Sequence, residues 1–319
     1  MTTSDFRAGD WVEVRTREEI LATLDAEGRH GALPFMPEML QHCGRRYRVF
    51  KSAHKGCDTI SDWRTMRRLD GAVHLEGLRC DGGAHGGCQA ACLILWKNEW
   101  LKPVSGPDAG ARPAGAAPAG GVCSLESLER STRVTPPGGA ETFRCQATEH
   151  LRATSPLRWW EPGAYLKDLT SRNVKPLEFL RYVLLALWNT LLRRLGRPTH
   201  PHVQGLAGEK TPTERLGLEP GELVQVRPAD EIMRTINAER KNRGLTFDVE
   251  MLPFCGRTFR VLRRVEKLIN ERTGVMMRMP ADCIVLDDVY CRGCLSQYRL
   301  FCPRAIYPYW REIWLRRVE

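Results

Sequence analysis

Residues 9–49 read GDWVEVRTREEILATLDAEGRHGALPFMPEMLQHCGRRYRV, and residues 221–261 read GELVQVRPADEIMRTINAERKNRGLTFDVEMLPFCGRTFRV. The two stretches align without a gap and share nearly half their positions. The match resumes near the end of each: Cys88-QAACLILWKNEWLKPV lies over Cys302-PRAIYPYWREIWLRRV, setting Trp96 over Trp310 and Trp100 over Trp314. One long, fixed offset means two copies of a single folding unit, because solenoid repeats have shorter periods.

Each copy opens on a strand pattern: Trp11, Val12 and Val14 after Gly9-Asp10, and Leu223, Val224 and Val226 after Gly221-Glu222. A short helix is expected next, over Glu18, Glu19, Ile20, Leu21 and Leu24 and over Asp230, Glu231, Ile232, Met233 and Ile236. Its leading acids suit the positive end of a helix dipole. After a loop, residues 43–49 and 255–261 share the phrase Cys-Gly-Arg-x-aromatic-Arg-Val, a turn at Gly44 or Gly256 leading into a second strand. Later strands are expected at Ala72-VHLEGL, at Cys283-IVLDDVY and in the Trp-rich ends. Several short strands with one helical insertion predict a small, strongly bent antiparallel barrel, so the fold class is mainly β with α. The opening Gly-Asp-x-Val-x-Val resembles the first strand of SH3-like barrels, including the KOW type and the SH3-like domain of nitrile hydratase β subunits. The resemblance implies a fold, two related SH3-like barrels, and no activity.

The domain organisation follows. Residues 1–104 form the first barrel with its Cys/His loop, and 105–123 form a flexible linker of Ala, Gly and Pro. Residues 124–219 are a helical connecting segment, and 220–319 the second barrel. Within the connection, Trp159-Trp160-Glu161-Pro162 reads as a turn or packing anchor. Pro176 opens a helix that begins at Leu177 and ends at Leu195. Residues 183–188 are apolar on every side, so this helix is expected to be buried between the barrels. The alternative is peripheral membrane contact, with Arg181, Arg193 and Arg194 at headgroup level.

The chain of 319 residues carries 48 Lys and Arg against 38 Asp and Glu, a net charge of +10. Such a balance permits an anionic partner, but the charges are interspersed and no basic tail marks nucleic-acid binding. The start, MTTSDFRAGDW, lacks the pattern of a secretory signal. No apolar run is long enough for a transmembrane segment. The expected location is cytoplasmic. In a reducing compartment twelve cysteines are metal ligands, reactive thiols or small buried groups, not a disulfide framework.

Most cysteines fall inside the copies. The first holds His54-KG-Cys57 and Cys80-DGGAHGG-Cys88-QAA-Cys92, whose glycines let thiolates on either side converge. Zinc takes four such ligands in a tetrahedron. The expected set is Cys57, Cys80, Cys88 and Cys92, with His85 or His54 as substitutes. In the second copy the candidates are Cys283, Cys291, Cys294 and Cys302, with inert buried thiols as the equal alternative. Alignment sets Cys80 over Cys291 and Cys88 over Cys302, while Cys57 and Cys92 fall over Ile269 and Ile306. The two copies therefore no longer share a full ligand set. Cys43 and Cys255 read as core, and Cys145 as a ligand only if the fold brings it near. An iron–sulfur cluster is the alternative cofactor.

No serine-nucleophile elbow, phosphate loop, dinucleotide fingerprint or zinc-protease helix is present, so no catalytic residue is assigned. Asp287-Asp288, adjacent in an expected strand, would point to opposite faces. His200-Pro-His202 reads as an exposed loop. The phrase Tyr307-PYWREIWLRRVE could stack bases and contact phosphates, which makes Trp96, Trp100, Trp310 and Trp314 candidate binding residues; barrel core is the competing reading. The functional expectation is a non-enzymatic, zinc-binding interaction or accessory module with a protein partner. A metalloenzyme or redox protein using the same cysteines, and a nucleic-acid-binding protein, are the alternatives.

Overall fold

A computed structural model describes residues 5–62, 64–107, 123–135, 138–158 and 160–318. Most of the expected linker, and Trp159 of the expected anchor, lie outside the described residues. The chain divides into two compact units. The first comprises Met1–Phe179 with Ile269–Met277 and Phe301–Arg304; the second comprises Leu180–Leu268, Arg278–Leu300 and Ala305–Glu319.

In the first unit the strand Trp11–Val14 lies between Leu101–Pro103 and Arg46–Ser52, and beyond the latter come Ala72–Arg79 and Leu93–Lys97. All pairings are antiparallel. Val12 and Val14 point inward, as the two-residue period of a strand requires, and both are fully buried. The second unit repeats the order: Leu223–Val226 lies between Leu315–Arg317 and Thr258–Arg264, with Ile284–Leu286 beyond. Registers repeat too. Val12 faces Tyr47 and Pro103, and Val224 faces Phe259 and Arg317. A register shift falls between Val49 and Lys51 in one copy and between Val261 and Arg263 in the other. Such bulges bend a sheet, and the five-stranded sheet curls into a half-barrel.

The cores of the two units share a matching set of residues. Phe35, Met39, Trp96, Trp100 and Leu101 fill one; Phe247, Met251, Trp310, Trp314 and Leu315 fill the other. Phe35 meets Trp100 edge-on at 5.2 Å between ring centres, and Phe247 meets Trp314 at 5.4 Å. One buried indole of each core donates to a threonine hydroxyl, Trp100 to Thr23 at 3.1 Å and Trp314 to Thr235 at 2.9 Å. The four tryptophans are wholly buried, so they are core and present no face on which a base could stack.

Three local expectations are corrected. The segment before Cys43 is not a plain loop; Pro37–His42 forms a 3-10 helix, and Val249–Phe254 its counterpart. The strand expected to run through Asp287-Asp288 stops at Leu286, where the chain turns through Asp288 in the left-handed region, φ 56°. The long helix Pro176–Arg194 forms as expected, but its apolar side chains are not buried: Leu184, Leu187, Trp188 and Leu191 are each exposed. Among the described residues no helix is long and apolar enough to cross a membrane.

Candidate metal centre

Glu38 stands in the first turn of the 3-10 helix Pro37–His42, where Pro37 presets the backbone. Facing it is the loop that leaves the strand Ala72–Arg79 at Cys80. Gly82 makes that loop possible: its φ is +76°, and a Cβ there would lie 2.1 Å from the Cys88 carbonyl oxygen. The Gly82 carbonyl accepts from His85 and Gly87 amides at 3.0 and 2.9 Å, which closes the turn and aims the His85 ring inward. A third tie runs from the Cys80 amide to the Cys92 carbonyl at 2.9 Å.

The result is a triad. His85 Nδ1 lies 3.0 Å from Glu38 Oε1, and Cys80 Sγ lies 3.0 Å from the same oxygen. Ligand atoms of all three fall within 4.8 Å of one another, the one such group of His, Cys, Asp or Glu found among the described residues. His85 and Glu38 side chains are 1% and 4% exposed. The other ring nitrogen, Nε2, lies 3.0 Å from the Arg144 carbonyl. A carbonyl only accepts, so Nε2 carries the hydrogen. In the neutral ring Nδ1 then presents a lone pair to a carboxylate oxygen, which is repulsive unless a cation, a proton or a metal ion, stands between them. Glu38 Oε2 is buried with no hydrogen-bond partner. Burial pushes the Glu38 pKa up, but His85 and the Cys80 thiol outweigh it and hold the carboxyl below its usual range. Burial and the neighbouring Glu38 carboxylate push the Cys80 thiol well above the ordinary range.

The second copy shows the same carboxylate put to another use. Glu250, over Glu38 in the repeat, accepts from the amides of Cys294, Leu295 and Ser296 at 3.1, 2.7 and 2.7 Å. Backbone donors occupy it where the first copy offers a thiol and an imidazole. Cys291 and Cys294 lie in that loop but form no metal-type group among the described residues. Cys283 is buried and pushed up to about 12 by that burial, as an inert thiol would be.

The expected set of Cys57, Cys80, Cys88 and Cys92 does not assemble. Cys80 joins the triad; the others belong to a separate thiol group. There the Cys57 amide donates to Cys302 Sγ at 3.2 Å, and the Ile269 amide donates to Cys88 Sγ at 3.4 Å. Cys57 is the repeat counterpart of Ile269, and Cys88 of Cys302, so the two copies exchange the same hydrogen bond. The buried Arg304 guanidinium sits among these sulfurs and donates to the Cys57 carbonyl at 2.8 Å. Burial alone would lower its pKa, but Cys57, Glu271, Cys302 and Cys92 raise it. Cys92 and Cys145 are pushed up to about 12 and about 11 by burial. Cys302 goes the other way: the Cys57 thiol, opposed by burial and helped by the Arg304 and Cys57 amides, lowers it to about 6. None of the twelve cysteines is in a disulfide.

His54 is no substitute ligand. It is buried against Asp168, 3.4 Å away, beside the buried pair of Lys55 and Asp168 at 2.5 Å. The basic C-terminal phrase is likewise engaged: Arg311 is buried, Arg316 pairs with Glu231, and Arg317 pairs with Glu222. Sequence reasoning missed Glu38, although the repeat holds a glutamate at that position in both copies. No family model matches the chain, and no curated protein or solved structure matches it.

Proposed function

We propose that the protein is a zinc-binding interaction module built from two related SH3-like barrels, with one structural ion in the first copy. The barrel reading rests on strand order, shared by the five-stranded sheet of the first copy and the four-stranded sheet of the second, with 3-10 turns at Asn98–Trp100 and Glu312–Trp314 before the last strand of each copy. On this reading the domains are those expected from the sequence, residues 1–104 and 220–319 with a connection between them.

The metal reading rests on one observation, the 3.0 Å approach of His85 Nδ1 to the buried Glu38 carboxylate with Cys80 alongside. Thiolate, imidazole and carboxylate are the three donor types zinc accepts, and a histidine whose second nitrogen is held by a carbonyl is the usual arrangement of a metal ligand. Zinc would neutralise the buried carboxylate, use the partnerless Oε2 and bind Cys80 as thiolate. Three protein ligands leave the fourth position of the tetrahedron to water or another donor, and burial of Glu38 and His85 shields that position, which favours a structural ion. Bound zinc would add folding free energy to a unit with a small core. Elemental analysis of protein purified without added metal is the test. About one zinc per chain is expected, lost in Cys80→Ser and His85→Asn. Protein that folds normally and holds no zinc, even after incubation with it, would remove the proposal.

A second reading, a reactive thiol, has its own support in the depressed pKa of Cys302 beside Cys57. Iodoacetamide labelling of Cys302 in the folded protein, at a pH where an ordinary thiol stays protonated, would favour it; labelling only in unfolded protein would discard it.

A further inference from the structure

The helix Pro176–Arg194 is turned inside out. Its polar side faces the protein: Asn189 is buried, its side chain exchanging two hydrogen bonds of 2.7 Å with the His200 backbone, and Arg193 donates to the Tyr298 hydroxyl at 3.0 Å. Its leucines face out. Leu180, Leu184, Leu187, Trp188, Leu191 and, just past the helix end, Leu195 recur at helical spacing and are between 46% and 62% exposed. At 3.6 residues per turn they occupy an arc of about 100°. Arg181 flanks the arc on one side and Arg194 on the other, both exposed. Beside it lies a groove of about 590 Å³ walled by Leu185, Pro201, Pro253 and Leu295 together with stripe residues, with Arg181 and His200 also in its lining.

A contiguous apolar face on a folded surface marks an interaction site. Charge decides the occupant. The helix has one acidic residue, Glu178, against Arg181, Arg193 and Arg194, and the chain carries +10 overall. A second copy would bring arginine rims against arginine rims. An anionic lipid surface meets leucine and tryptophan with acyl chains and the arginines with headgroups, the arrangement of interfacial helices. We infer that this helix docks the protein on anionic membranes, lying in the headgroup region and not crossing it, with the adjoining groove able to take an acyl chain.

The test is co-sedimentation of the full chain with vesicles of phosphatidylcholine, alone or mixed with phosphatidylserine. Binding is expected to the mixed vesicles and to weaken with salt. Leu184→Ser with Leu187→Ser should abolish it, and Arg181→Ser or Arg194→Ser should each weaken it roughly fivefold. These side chains are exposed, so the variants should melt as the parent does; Leu206→Ser, also exposed but off the helix, should bind normally. No binding to mixed vesicles, or binding that survives the double leucine change, would overturn the inference. So would a concentration-dependent dimer that the same change dissolves while vesicles are ignored, since the occupant would then be a second copy.

Discussion

Glu38 and Glu250 occupy one position in two copies of one unit, on the same 3-10 helix and facing the same loop. Glu250 is satisfied by three backbone amides. Glu38 meets a thiol, an imidazole nitrogen and nothing at its second oxygen. A buried carboxylate must be paired or hydrogen-bonded, and the copies meet that demand differently: one with its own main chain, the other with a site suited to a cation. A difference in the loop, His85 beside Cys80 against three backbone amides after Cys291, separates a closed structural tie from a candidate metal centre. The shared scaffold does not by itself carry function.

The cores should behave alike where the loops do not. Trp100→Ala and Trp314→Ala each remove a fully buried indole, and each is expected to cost about 3–5 kcal/mol by denaturant unfolding. A copy that tolerates the change would show that the cores are not equivalent. The carboxylates should then diverge. Glu250→Gln takes a charged acceptor from three amides and is expected to cost roughly 1.5–3 kcal/mol with or without metal. Zinc at a hundredfold excess over its Kd should stabilise the parent by about 2.7 kcal/mol and Glu38→Gln not at all. Equal behaviour of the two variants would erase the contrast.

Acid should also separate the copies. Burial lowers His54 to about 4 and both His74 and His150 to about 3, against about 6.5 in the unfolded chain. The unfolded state thus takes up protons that the folded state refuses. The stability these groups contribute is full above about pH 6.5 and is lost as pH falls towards about 4 and then 3. Val285 pairs with Arg263 where His74 pairs with Lys51, the counterpart position. His74→Val should therefore flatten the acid limb of a melting-temperature profile; an unchanged slope would show that His74 titrates normally. The smallest effect expected is about 1 kcal/mol from Thr23→Val or Thr235→Val, each removing the acceptor of one buried indole. Unequal losses would mark a difference in core packing.

Much of the fold was legible because it rests on local pattern. Val12 and Val14 alternate as Val224 and Val226 do, and the second matching block, from Cys88 and from Cys302, carries the tryptophans to matching places. The site was legible in part. Cys80 and His85 are legible because both residue types ligate zinc in a recognisable spacing, whereas Glu38 is a hard oxygen ligand that no pattern of cysteines and histidines points to. Its counterpart Glu250 was the available signal. The approach of Cys57 to Cys302 spans 245 positions, and no spacing rule reaches that far. The long helix was misplaced because an apolar run fixes helicity but not which face meets the protein; Asn189 and its His200 partner settle that, and their pairing is tertiary.

Anomalous X-ray diffraction at the zinc edge, on crystals of the full chain grown with zinc, tests the metal assignment most directly. One peak is expected at bonding distance from Glu38, Cys80 and His85, with none beside Glu250. No peak at the triad, or a peak among Cys291 and Cys294 instead, would contradict it.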